Sequence, residues 1–314
     1  MRLRDEQQGQ QGRLHTQLRM RLRLSRHSSP MATETHLPDH HSLRAVLSIA
    51  GSDPSGGAGI QADLKTFTAI GVYGGAAITC LTAQNSLGVD SFLPVAPEFV
   101  TRQIRLVLAD LPVSHIKTGM LGTDEIAEAM AEALHDFSGE IICDPVLTAS
   151  DGHTLFQKTK KNPGLQALLN IATVLTPNLP ELANLTGQKL ETPEEAVAAA
   201  TALLARYPRL RAIALTGGHI REQAGEVEDF LILRHASGQE ILSSKHARIA
   251  TRNTHGTGCT FAAAFAAYHL LSGNYQDAFF RAVTFMDAVL RQSAPLALGK
   301  GKGPLVHHLF RNKA

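Results

Sequence analysis

The sequence predicts an α/β protein: a three-layer αβα sandwich built on a mostly parallel central sheet. Three observations predict it. From Ala45 onward, apolar strand-like runs alternate with helical patterns, and that alternation implies parallel strands joined by crossover helices. The strand-like runs are almost continuously apolar, as strands covered on both faces must be. Glycines and polar residues gather where those runs end, and open sheets of this class hold ligands outside the carboxyl ends of their strands.

The elements follow in order. The run AVLSIAG (45–51) is the first strand, and a helix is expected over 59–70. GGAAITCLTA (74–83) is a second strand before a helix over 97–109; SHIKTG (114–119) is a third before a helix over 123–137. EIICDPV (140–146) and TVLTPN (173–178) supply two more, the latter entering helices over 179–186 and 192–206. The last helix opens with Thr192-Pro193-Glu194-Glu195, a capping box with proline at the first helical position. After RAIALTGG (211–218), the runs EVEDFLILR and QEILSSKHARI flank residues 235–238 and read as an antiparallel hairpin. An Ala-rich helix, buried on most sides, is expected from Phe261 to Gly273.

Composition narrows the class. Of 314 residues, 44% are hydrophobic and 18% charged, with a formal net charge of +2, so no face is marked for coating nucleic acid. Cys80, Cys143 and Cys259 are odd in number and form no CxxC pair. That argues for a reducing, cytoplasmic setting without disulfides or structural zinc. Cys80 and Cys143, inside apolar strands, read as inert core. No apolar run reaches membrane-spanning length. The first thirty residues carry seven arginines against Asp5 and Glu6. They read as a targeting peptide, a basic arm, or a start placed ahead of Met31. A disordered, dispensable extension over residues 1–44 fits best, with one domain over 45–314. The histidine pairs at 40–41 and 307–308 read as solvated tail.

Two glycine-rich stretches carry the chemistry. GSDPSGGAGIQADLKT, from Gly51 to Thr66, is neither a P-loop nor a dinucleotide fingerprint. In NTHGTGCT, Gly256, Thr257 and Gly258 precede the Ala-rich helix, where unpaired N–H groups and the helix dipole make an anion site. Cys259 beside them is a nucleophile, a ligand or a core residue. Other strand ends deliver Asp144, Asn178 with Glu181, and Thr216. Such a set suits phosphate and Mg²⁺, which takes one or two carboxylates and keeps phosphate oxygens and waters. Asn178, three residues before Glu181, equally reads as a helix cap.

Taken in order, AGSDPSGGAGIQADLKTF, TAQNSLGV, KTGML, DPV, TPNLPEL, GGH and NTHGTGCT resemble the hydroxymethylpyrimidine/phosphomethylpyrimidine kinases of thiamine biosynthesis, members of the ribokinase-like superfamily. The resemblance spans about residues 45–307. It implies a ribokinase-like fold and ATP-dependent phosphorylation of 4-amino-5-hydroxymethyl-2-methylpyrimidine, then of its monophosphate. It further implies that Gly256, Thr257 and Gly258 form the anion hole for the transferring phosphoryl group. Cys259 stands where the superfamily's sugar kinases carry an aspartate base. Asp144, Asn178, Glu181 and Thr216 would face ATP, with Mg²⁺ held through Asp144 and Glu181. Asp63 and Gln84 would read the pyrimidine, and Gly51 and Met120 would line its pocket. Thr216 departs from several family members, which have lysine there.

Plainer readings stand beside these. Asp63 and Lys65 fit a solvated helix face, Gln84 a turn, Met120 core packing, and Asp144 a turn cap. As a base, Cys259 would need the helix N-terminus to lower its pKa from about 8.5. A cysteine hydrolase using Cys259 and His255, and a pyrimidine-binding sensor without catalysis, are the rival classes. Pyridoxal kinase is the rival substrate assignment. The superfamily's edge hairpins further suggest a homodimer; no nucleic acid or membrane partner is expected.

Overall fold

The computed structural model describes residues 44–146, 155–157, 163–219, 225–236 and 238–310. All of the N-terminal extension but Arg44 lies outside the described residues.

Strand β1 (Ala45–Ser52) enters the core directly, with Val46, Leu47 and Ile49 wholly buried. Helix α1 (Gly59–Ile70) follows and ends at Gly71, whose φ of 92° closes the helix in the left-handed region. β2 (Tyr73–Asn85) runs longer than its apolar run and turns back as β3 (Gly88–Pro94), an antiparallel edge strand that periodicity did not separate out. α2 (Pro97–Asp110), β4 (Val113–Thr118), the short β5 (Gly122–Thr123) and α3 (Asp124–Ala133) come next. Thr123 caps α3 by accepting from the Ile126 N–H, and the helix stops four residues short of its expected end.

β6 (Glu140–Cys143) leads to β7 (Phe156–Gln157), which pairs with β5 alone, and to α4 (Pro163–Ile171). β8 (Val174–Leu175) opens into α5 (Leu179–Thr186) and α6 (Pro193–Arg206), the latter capped by Thr192 and Glu195 as its sequence requires. β9 (Ala212–Leu215) is followed by the hairpin β10 (Glu226–His235) and β11 (Gly238–Ala247), antiparallel and in register from Glu226 against Ala247 to His235 against Gly238. α7 (Thr257–Ser272) begins four residues earlier than the Ala-rich run suggests, and α8 (Tyr275–Ser293) packs across it.

Among the described residues the main sheet has nine strands in the order β11-β10-β9-β8-β6-β4-β1-β2-β3. The six from β9 through β2 are parallel. Two cores flank it. One gathers apolar residues of α2 to α6, such as Ile104, Met130 and Leu203, against Leu47 and Ile116. The other packs α1, α7 and α8, through Phe67, Phe265 and Phe279, against Val46 and Ile142. This is the expected αβα sandwich. With six strands aligned, their carboxyl ends open on one rim, and α7 points its N-terminus there.

Candidate active site

The two glycine stretches meet at this rim. Gly256 has φ of 82°, and a Cβ on it would lie 1.9 Å from the Gly57 carbonyl oxygen. Only glycine fits there, because both the backbone angle and the space exclude a side chain. Asp53 organises the first stretch: its carboxylate accepts from the N–H groups of Ser55, Gly57 and Ala58 and from the Ser55 hydroxyl. His255 Nε2 joins that carboxylate at 2.8 Å and also lies 3.1 Å from the side-chain amide of Gln84. Burial pushes Asp53 up, but hydrogen bonds from His255 and Ser55 outweigh it and hold the carboxyl below its ordinary value. Gly51 sits against Met120, whose Sδ would be 3.1 Å from an added Cβ. Gln84, Gly51 and Met120 thus border the ends of β2, β1 and β4.

Below this rim lies a charged floor. Lys117, at the end of β4, is wholly buried, with Nζ 3.0 Å from Asp63 Oδ1 and 3.7 Å from Asp144 Oδ2. The Ser48 hydroxyl donates to Asp63 Oδ2 at 2.6 Å. Asp63 is therefore no solvated helix residue; it faces inward, into an ion pair. Burial lowers the proton affinity of Lys117, but Asp63, Cys259 and Asp144 together outweigh it and keep the ammonium charged. Asp144 feels burial first and Lys117 second, and its carboxyl is pushed up to about 6.

On the neighbouring strand end, Asn178 and Glu181 form a capping box. The Asn178 side chain accepts from the Glu181 N–H, and the Glu181 carboxylate accepts from the Asn178 N–H, both at 2.9 Å. The cap expected from the sequence is present, yet it leaves Glu181 buried and electrostatically coupled to Asp144. Burial, then the Asp144 charge, pushes Glu181 up to about 8. Thr216 bridges Asn178 from the end of β9, its N–H bonding the Pro177 carbonyl. Two neighbouring carboxylates that repel each other, one with an oxygen lacking any hydrogen bond, fit a Mg²⁺ ion that shares its remaining positions with phosphate and water. Among the described residues no three His, Cys, Asp or Glu cluster as a metal cage.

The start of α7 closes the site. A Cβ on Gly258 would stand 3.9 Å from each oxygen of Asp144, with nothing nearer. Asp144 is thus the group that the first turn of α7 meets at Gly258, while the Thr257 N–H turns back to the Thr254 carbonyl. The Cys259 thiol lies beside Asp144 and the Gly59 N–H. Its residue is partly open to solvent, but the sulfur lies among Lys117, Asp144 and Asp63. The expectation of a lowered thiol pKa is reversed. Burial, joined by the two carboxylates, pushes it up to about 12 against the pull of Lys117. Helix-end fields are modest beside full desolvation and two nearby negative charges.

The structure thus brings Gly256, Thr257, Gly258, Cys259, Asp144, Asn178, Glu181 and Thr216 to one rim, with Gly51, Gln84 and Met120 beside them. Sequence reasoning missed Lys117, Asp53 and Ser48. A lysine inside an apolar strand was the available signal, since an unpaired charge is not left in a core. His307, read as tail, is buried, with Nε2 2.9 Å from the Thr260 hydroxyl of α7. Cys80 and Cys143 are buried and free, in keeping with inert core positions.

The chain is similar to known kinases over most of its length. Residues 53–306 match the family model described as phosphomethylpyrimidine kinase. The chain is 39% identical over 266 residues to a hydroxymethylpyrimidine/phosphomethylpyrimidine kinase of Rhizobium meliloti, covering 85% of this chain and 97% of that one. Among solved structures, it is similar to pyridoxal kinase from Staphylococcus aureus in complex with ADP. That match has a TM-score of 0.74 and 31% identity over 87% of this chain and 96% of that one. A phosphomethylpyrimidine kinase from Clostridium difficile matches with a TM-score of 0.64 and 30% identity, covering 78% and 98%.

Proposed function

The chain belongs to the phosphomethylpyrimidine kinase family, and from that membership we propose how one site serves two phosphorylations. It is an ATP-dependent kinase of thiamine biosynthesis, acting on 4-amino-5-hydroxymethyl-2-methylpyrimidine and on its monophosphate. The observation that carries the site assignment is the open first turn of α7 facing Asp144 across Gly258.

In this reading the N–H groups of Gly258 and Cys259, with Gly256 and Thr257 shaping the turn before them, receive the transferring phosphoryl group, supported by the helix dipole. Lys117 keeps charge balanced beneath it. Asp144 and Glu181 would hold Mg²⁺, which supplies charge neutralisation to the ATP phosphates when bound. Asn178 keeps Glu181 turned toward that position, and Thr216 flanks it. Gln84 reads the pyrimidine ring between Gly51 and Met120, while Asp63 acts from below by fixing Lys117.

The first transfer requires the hydroxymethyl proton to leave. A thiol with a pKa of about 12 holds little thiolate at neutral pH. The nearness of Cys259 to Asp144 supports a relay instead: Cys259 takes the alcohol proton as its own proton passes to Asp144. The second acceptor is an ionised phosphate and needs no base, so one helix end suffices for both.

The decisive experiment measures ADP release with hydroxymethylpyrimidine, its monophosphate and pyridoxal, each against ATP–Mg²⁺. Turnover of both pyrimidines with weak turnover of pyridoxal is expected. Pyridoxal kinase is the second reading, favoured by the likeness to the Staphylococcus aureus enzyme; preferential turnover of pyridoxal would establish it. Leu81 and Leu93, exposed and opposite one another on β2 and β3, support a homodimer through this edge, checked by sedimentation of a Leu93→Glu variant. Free thiols at all three cysteines support a cytoplasmic setting. Among the described residues no helix is long and apolar enough to cross a membrane.

A further inference from the structure

We propose that His255, held by Asp53 and assisted by Thr82, locks the amide of Gln84 in one orientation, and that this lock selects an aminopyrimidine edge. The proposal rests on the reading that Gln84 faces the pyrimidine; the lock itself follows from counting hydrogens.

Asp53 Oδ2 lies within hydrogen-bond reach of four donors: the Gly57 and Ala58 N–H groups, the Ser55 hydroxyl and His255 Nε2. It is an ionised acceptor, so His255 Nε2 must carry the hydrogen in their 2.8 Å contact. A ring nitrogen that carries a hydrogen has no lone pair left to accept with. The Gln84 amide atom 3.1 Å from Nε2 must then be its oxygen, sharing the one Nε2 hydrogen with Asp53, since a nitrogen there would set N–H against N–H. Amide nitrogen and oxygen are assigned from such networks, not from shape.

The other end of the amide gives the same answer independently. It lies 3.2 Å from the Thr82 hydroxyl, which is also 3.0 Å from the Ser52 carbonyl. A hydroxyl has one hydrogen. With the amide oxygen toward Thr82, two carbonyl oxygens would compete for that hydrogen. With the amide nitrogen there, Thr82 donates to Ser52 and accepts from Gln84. Every donor then has an acceptor.

Locked this way, the amide keeps one N–H and one oxygen lone pair uncommitted. Side by side they complement a ring nitrogen next to an exocyclic amino group, the edge of a 4-aminopyrimidine. The 4-oxo analogue presents the reverse order, N–H beside carbonyl, and would need the amide turned over. His255 is thus a positioning residue for specificity, and Asp53 fixes its tautomer. Sites built on such hydrogen bonds discriminate far better than apolar ones, by up to about 10⁴–10⁵-fold.

The experiment compares kcat/KM for hydroxymethylpyrimidine and its 4-oxo analogue in wild type and in His255→Leu, His255→Gln, Thr82→Val and Gln84→Leu. His255→Leu should lower the preference for the amino compound roughly tenfold or more, chiefly through KM, because an unpaired polar group of this kind sets discrimination. His255→Gln, which keeps an N–H donor, should recover part of the preference. Thr82→Val changes little in volume and should loosen the lock from the other end. It decides the matter if the His255 variants fail to fold. Unchanged KM for hydroxymethylpyrimidine in Gln84→Leu overturns the reading of Gln84 itself. A raised KM there, with wild-type preference in both His255→Leu and Thr82→Val, leaves that reading standing and overturns the lock.

Discussion

Replacing Lys117 with methionine should push the working range of this kinase to higher pH. Lys117 Nζ lies 3.7 Å from Asp144 Oδ2, and both groups are buried. At an effective dielectric of about 20, that separation corresponds to roughly 4.5 kcal/mol of attraction, a ceiling of about three orders of magnitude in proton affinity. With Lys117 present the Asp144 carboxyl is pushed up to about 6. Without it, Asp144 holds its proton through neutral pH and can neither bind Mg²⁺ nor accept a proton from Cys259. The sign is therefore fixed: the acid limb of kcat/KM for ATP moves upward. The assay is ADP release from pH 5.5 to 9.5 at fixed free Mg²⁺. Lys117→Met also strands Asp63, which costs about 3–5 kcal/mol when one partner of a buried pair is lost. The double variant Lys117→Met/Asp63→Asn keeps the Ser48 hydrogen bond and removes that cost. Its limb should move the same way but less, since the Asp63 charge that raises Asp144 is gone too. An acid limb unmoved in both variants would refute the electrostatic role of Lys117.

Three further outcomes are expected. Cys259→Ala should slow transfer to the hydroxymethyl alcohol by roughly 10²–10⁴-fold and transfer to the monophosphate much less; equal losses in single-turnover assays would make the thiol a packing group. Gly256→Ala should destabilise the fold by at least about 1–3 kcal/mol in urea, given its φ of 82° and the Gly57 oxygen in the way. Gly258→Ala meets only atoms 3.9 Å off and should unfold like wild type while losing both transfers. Asp144 and Glu181 have folded pKa values raised to about 6 and about 8. The folded state therefore binds extra protons, and stability falls as pH climbs from about 4 to 8. Mg²⁺ should relieve this, so the rise in Tm with added MgCl₂ should be larger at pH 8 than at pH 6, and a rise independent of pH would count against a shared carboxylate site.

The sequence by itself determined the layering and the rim. Alternating apolar strands and helices fix a parallel sheet, because each strand buries both faces and each crossover must return across it. The capping boxes at Asn178 and Thr192 are local signals, readable because cap and acceptor lie three residues apart. Helix α8 was missed although it carries local signals, an Asn274 cap and an apolar face at Phe279, Ala282, Val283, Met286 and Val289; α4 and the edge strand β3 are short, and packing decides them where local preference is weak. The same limit governed the site. That Gly256 leaves room for Gly57, that Asp63 pairs with Lys117 54 residues away, and that the Cys259 pKa rises instead of falling are decided by neighbours from distant segments. Burial and Coulomb terms act through space, so a residue's charge state is set by what the fold places within a few ångströms of it. The sequence says that a thiol stands at a helix start; only the tertiary structure says which charges surround it.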